Sequence, residues 1–122
     1  MTETELKERF RSFSIRIVKM VDVMPHSISA IAIAKQVVRS GTSPYANYRA
    51  ACLGKSDRDF LNKLKMVEEE LDETGQWLDL IMATDILPQS RVRSLYDESQ
   101  ELQKIIAKSI LTMKKRLDSQ NY

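Results

Sequence analysis

The sequence predicts an all-α domain, an antiparallel up-down-up-down four-helix bundle, and three observations carry that expectation. Glycine and proline number only three each among 122 residues, too few for a fold built from strands and turns. Leu, Lys, Glu, Ala, Arg and Met, which give up least on entering a helix, are abundant. Apolar side chains recur in steps of three and four through four long segments, the spacing of one helix face. The length suits one domain, 1–122, with a modest core. Its polar end "DSQNY", residues 118–122, reads as a frayed tail.

The first helix is expected near 3–24, beginning at Thr2 or Thr4. Thr2 and Glu5 stand at capping-box spacing, and Leu6, Phe10, Phe13, Ile17, Met20 and Met24 make its core stripe. Pro25 and His26 end it. Ser27 caps the second segment, whose apolar residues run almost unbroken from Ile28 to Val38. In a small bundle one side of a helix normally meets water, so apolarity all round points to contacts between subunits.

The stretch "RSGTSPYANYRAAC", Arg39 to Cys52, disturbs this pattern. Pro44 lacks an amide hydrogen, and its ring strains against the carbonyl of Ser40, yet helical spacing resumes from Tyr45 to Leu53. Two readings follow. Either one helix near 27–53 is kinked at Gly41 to Pro44, with the Thr42 and Ser43 hydroxyls serving the freed carbonyls, or the segment breaks into two helices. Gly54, in the turn "LGKS", is placed as a C-cap.

A third helix, near 57–84, opens on Ser56 and Asp59, with Phe60, Leu64, Val67, Leu71, Thr74, Leu78 and Ile81 as its core stripe. Beside it, Met66, Glu70, Glu73, Trp77 and Leu80 mix carboxylates with a large aromatic, a composition suited to the edge of an interface. Pro88 marks the next turn. Val92, Leu95, Tyr96, Leu102, Ile106, Ile110, Met113 and Leu117 then line a fourth helix near 89–117. Folding the second helix back on the third about Gly54 and Lys55 puts Arg39 level with Glu70, as a partly buried bridge to Glu69, Glu70 or Glu73. The same register sets Gly41 opposite Glu68, Ala34 opposite Gly75 and Asn47 near Asn62, so the second and third backbones are expected to approach at small residues.

The net charge of +2 conceals a division along the chain. Residues 35–65 are basic, 66–101 acidic and 102–122 basic again, which reads either as complementary solvated faces or as separate interaction surfaces. No apolar run is long enough to span a membrane, and the charged N-terminus is unlike a signal peptide; a cytoplasmic protein is expected. One cysteine and one histidine exclude a disulfide scaffold and a His-rich zinc site.

Catalysis finds no support. A di-iron bundle needs Glu-x-x-His pairs on facing helices, whereas His26 is alone in an interhelix turn. Cys52 has no histidine near it, and "LGKS" lacks the upstream glycine and strand of a phosphate loop. No catalytic residue, metal or cofactor is therefore assigned. The nucleic-acid candidates are Arg49, Lys55, Arg58, Lys63 and Lys65 around the second turn, and Lys114, Lys115 and Arg116 at the end of the fourth helix. These are expected as two patches at opposite poles. Tyr45 and Tyr48 either stack on unpaired bases or are buried. The competing reading is an oligomeric protein scaffold that binds no nucleic acid.

Two motifs carry a resemblance. Arg39, Ser40, Gly41, Thr42, Ser43, Ala46, Asn47 and Tyr48, with Glu69, Glu70, Asp72, Glu73, Thr74, Trp77, Leu78, Asp79 and Leu80, make the chain similar to the 23S rRNA intervening-sequence proteins. These are relatives of the accessory variability determinant of diversity-generating retroelements. The resemblance spans nearly the whole chain and departs from the pattern at Pro44, Ala50, Gly75 and Gln76. It implies a homopentameric barrel of four-helix bundles with no known catalytic activity. Some relatives are encoded within insertions of rRNA genes, and the retroelement relative binds nucleic acid and a reverse transcriptase.

Overall fold

The computed structural model describes residues 1–120, which form α1 (Glu3–Asp22), α2 (Ile28–Cys52), α3 (Asp57–Ala83) and α4 (Gln89–Gln120). No strand occurs among the described residues. Each of the first three helices starts where its sequence offers a cap. Thr2 Oγ1 accepts from the Glu5 amide at 3.1 Å while Glu5 accepts from the Thr2 amide, closing the capping box. Ser27 accepts from Ala30 at 3.2 Å and Ser56 from Asp59 at 3.1 Å. The turn between α3 and α4 puts Asp85 in left-handed backbone, φ 56°, which aspartate tolerates better than most residues. At the other end of α4 the helix runs through Gln120, so Asp118, Ser119 and Gln120 are helical where the sequence suggested fraying. Asn121 and Tyr122 lie outside the described residues.

Neighbouring helices touch in antiparallel order. On α2 and α1, Tyr48 stacks on Phe10 and Gly41 meets Ile17. On α3 and α4, Asp57 pairs with Arg116, Asp72 with Gln103, and Gly75 lies against Ser99 and Gln100. The core follows the predicted stripes, with Phe10, Phe13, Ile17, Leu64, Leu71, Leu78, Leu102 and Ile106 fully buried. One position in α3 differs: Leu61 is buried and Phe60 only half so, Phe60 lining surface pockets beside Met113 of α4. Tyr96 and Leu117 on α4 are also half-buried.

α2 passes through Pro44 as one uninterrupted helix, which removes the two-helix reading. Thr42 Oγ1 donates to the Val38 carbonyl at 2.6 Å, and Ser43 Oγ lies 3.5 Å from the Ser40 carbonyl that Pro44 leaves without an amide partner. Gly54 is not a left-handed cap, because no glycine here has positive φ and Leu53 occupies the C-cap. Its small size matters instead: a Cβ there would meet Asp59 Oδ2 at 2.6 Å and the Ala51 carbonyl at 2.9 Å. The other two glycines face different neighbours from those expected. Gly41 packs on α1 and Gly75 on α4, so neither eases an approach of α2 to α3.

α1 and α4 share the thinnest interface of the bundle. A bidentate pair spans it, Arg9 Nε and Nη2 each donating to Glu98 at 2.8 Å. A double-mutant cycle of Arg9→Ala and Glu98→Ala should give a coupling of about 1 kcal/mol that shrinks as salt is added; a coupling of zero would make the pair a bystander.

Candidate nucleic-acid interface at the basic pole

Helix direction alternates along the chain, so the pole where α2 ends and α3 begins is also where α1 begins and α4 ends. The two basic clusters therefore meet, contrary to the expectation of opposite poles. Arg116 Nη1 stands 3.7 Å from Asp57 Oδ1, and Gln120 donates to the same carboxylate at 3.0 Å. Between them opens a pocket of about 430 Å³ lined by residues that include Glu3, Cys52, Lys55, Asp57, Phe60 and Arg116.

The eight candidate cations are not equivalent. Lys63 is tied to Asp59 at 2.6 Å and Arg116 to Asp57. Arg49 lies over the Tyr45 ring, 5.6 Å from its centroid, with Nη1 3.4 Å from the Tyr45 hydroxyl. Lys55, Arg58, Lys65, Lys114 and Lys115 are exposed and make no ion pair among the described residues. Tyr48 is removed as a stacking platform: it is 4 % exposed, with its ring 5.2 Å from that of Phe10. Burial raises its phenol far above the ordinary range.

Cys52 is half-buried beside this pocket. Burial pushes its thiol pKa up, against a smaller opposing effect of the Tyr48 hydrogen bond. Because the thiolate is the nucleophile, alkylation by iodoacetamide at neutral pH should be slower than for free cysteine and should accelerate only above the usual thiol range. Rapid labelling at pH 7 would contradict this. Among the described residues no group of three His, Cys, Asp or Glu is arranged to hold a metal ion, and no helix is long and apolar enough to cross a membrane.

The first sequence motif has a structural explanation at mid-height. Arg39 Nη1 donates to both oxygens of Glu70 at 3.1 and 3.3 Å, and Nη2 to Glu73; Glu69 is exposed and takes no part. The Arg39 side chain is 50 % exposed, so the bridge is a surface one rather than the buried kind. Beneath it Ser40 and Thr74 are fully buried, their hydroxyls 2.9 Å apart, and Thr74 donates to the Glu70 carbonyl at 2.7 Å. Asn47 is half-buried and Asn62 exposed, and no side-chain hydrogen bond joins them among the described residues. Trp77 is half-buried with its Nε1 enclosed and unpaired.

No curated protein matches the chain. A crystal structure of a protein of unknown function from the S23 ribosomal protein family of Bacteroides thetaiotaomicron superposes with a TM-score of 0.81. It is 32 % identical, over 86 % of this chain and 97 % of that one. The profile of the family described as 23S rRNA-intervening sequence protein matches residues 2–108. A match over that much of the chain places this protein in the 23S rRNA-intervening sequence protein family.

Proposed function

We propose that this protein is a non-enzymatic cytoplasmic adaptor, a homo-oligomer and most simply a pentamer, that binds RNA or DNA through its basic pole without reading sequence. The observation that carries the reading is the convergence of Lys55, Arg58, Lys114 and Lys115 on the pole where Arg116 pairs with Asp57. Exposed lysines and arginines without carboxylate partners are free to replace the counterions of a phosphate backbone. Tyr48 is buried in the core, and phosphate contacts by exposed cations carry no sequence information, so affinity should be similar for every sequence. A single pole binds weakly near physiological salt. Copies held in a ring raise the effective concentration without any new contact.

A protein-scaffold role, with a partner such as a reverse transcriptase, is the second reading. Ile28 at 92 % exposed, with Ile31 and Val23 nearby, favours it, since large exposed apolar groups near one another suit a protein partner. Light scattering for mass, followed by salt titrations of binding to structured RNA, single strands and duplex, separates the two. An oligomer that binds all three with a steep salt dependence supports the proposal. An oligomer that ignores nucleic acid at low salt leaves the scaffold, and a monomer removes the multivalency on which the proposal rests.

A further inference from the structure

The pole opposite the basic one carries a pocket that the preceding reading does not use. It lies along the thin α1/α4 interface, has a volume of about 310 Å³, and is lined by Arg16, Lys19, Met20, Val23, Leu87, Arg91 and Leu95. Met20, Leu87 and Leu95 form a buried apolar floor, and Val23 leaves an exposed apolar wall. Three cations stand around it. Arg16 is oriented across the interface by donation to Ser94 Oγ at 3.0 Å. None of Arg16, Lys19 and Arg91 makes an ion pair among the described residues, although Asp22 and Asp85 belong to the same end of the bundle. Arg91 sits in the first turn of α4, which contains no acidic residue. There the partial charge of the helix end adds to its own.

Arg16, Lys19 and Arg91 are exposed and solvated, but three cations around one apolar concavity offer an amphipathic anion charge and apolar surface together. We infer that this groove binds a small carboxylic acid with an apolar body. The carboxylate is held by Arg16, Lys19 and Arg91, with the two guanidinium groups suited to its planar oxygens. The hydrocarbon body covers Met20, Val23, Leu87 and Leu95. At about 30 Å³ per water-sized group the volume holds roughly ten non-hydrogen atoms, the size of a medium-chain carboxylate. A helical peptide docks through several anchor side chains at once, more than a volume of about 310 Å³ holds. A phosphodiester has nothing to place on the apolar floor.

The test is an amide-resolved NMR titration of the intact protein with sodium octanoate, with acetate and 1-octanol as probes carrying half of the recognised chemistry each. Octanoate should shift amides in 16–23 and 87–95, with a Kd of about 1 mM or tighter for a ligand of that size. Acetate and octanol should each bind at least about tenfold more weakly. Arg16→Gln with Arg91→Gln should lower octanoate affinity about tenfold or more. Val23→Glu, an exposed change that repels the carboxylate, should do the same, and both variants should keep the wild-type helical circular dichroism. The inference is overturned if octanoate leaves these amides unmoved, if acetate or octanol binds as tightly, or if both variants retain wild-type affinity. Displacement of octanoate by an acidic amphipathic peptide of far higher affinity would also overturn it, in favour of a protein partner.

Discussion

Gly41→Val should lower stability by about 2–3 kcal/mol in urea denaturation without changing the m-value. A Cβ at this position would lie 2.8 Å from Ile17 Cγ1, 2.9 Å from Cγ2 and 3.0 Å from Cδ1. Ile17 is fully buried and, being β-branched, has little rotamer freedom with which to retreat. The packing penalty exceeds the few tenths of a kcal/mol by which valine improves on glycine as a helix former. Gly75→Ala makes the contrast. Its new Cβ would meet Gln100 Nε2 at 2.7 Å, the far end of a flexible side chain that can swing away. That variant should gain about 0.5–1 kcal/mol from helix propensity. Combining Gly41→Val with Ile17→Ala should cost at least about 1 kcal/mol less than the sum of the single changes, because each relieves the other. Simple additivity would show that the two residues do not share the space described.

Reversing four exposed charges, Lys55→Glu, Arg58→Glu, Lys114→Glu and Lys115→Glu, should weaken binding of RNA, single strands and duplex alike. Each lost phosphate contact removes about 0.7–0.9 from the slope of log affinity against log salt, so four remove about three units, or roughly a thousandfold near 0.1 M salt. These side chains make no ion pairs among the described residues, and each change taken singly should leave stability within about 0.5 kcal/mol of wild type. Lys63→Gln should change binding little, since Lys63 already has Asp59 as its partner. A loss confined to one sequence, or an unchanged salt slope, would remove the basic pole as the interface.

Much of the architecture is local in origin and therefore legible in the chain. Thr2, Ser27 and Ser56 each satisfy amides of a helix they begin, an interaction decided within three residues. The stripes of α1 and α4 follow from the period of the helix, and the Arg39 bridge to Glu70 and Glu73 follows from a short turn that sets α2 against α3. The motif beginning at Arg39 was legible as a unit for the same reason.

Periodicity determines which face of a helix is apolar but not which neighbour that face meets, and at that point the sequence alone stops. The register about Gly54 and Lys55 puts Gly41 and Gly75 at the α2/α3 contact, whereas packing turns one toward α1 and the other toward α4. Phe60 and Leu61 stand four and three residues before Leu64, so helical spacing admits either to the core stripe, and packing makes Leu61 the buried one. The basic clusters lie far apart in the chain; alternating helix direction already puts the end of α4 at the pole of the α2/α3 turn, contrary to the expectation of opposite poles, and the closed bundle adds the contact of Arg116 with Asp57. The carboxylate groove draws its cations from α1 and α4. Their charges carry no mark of one another in sequence, because Coulomb interactions depend on distance through space, and that distance exists only once the bundle has closed.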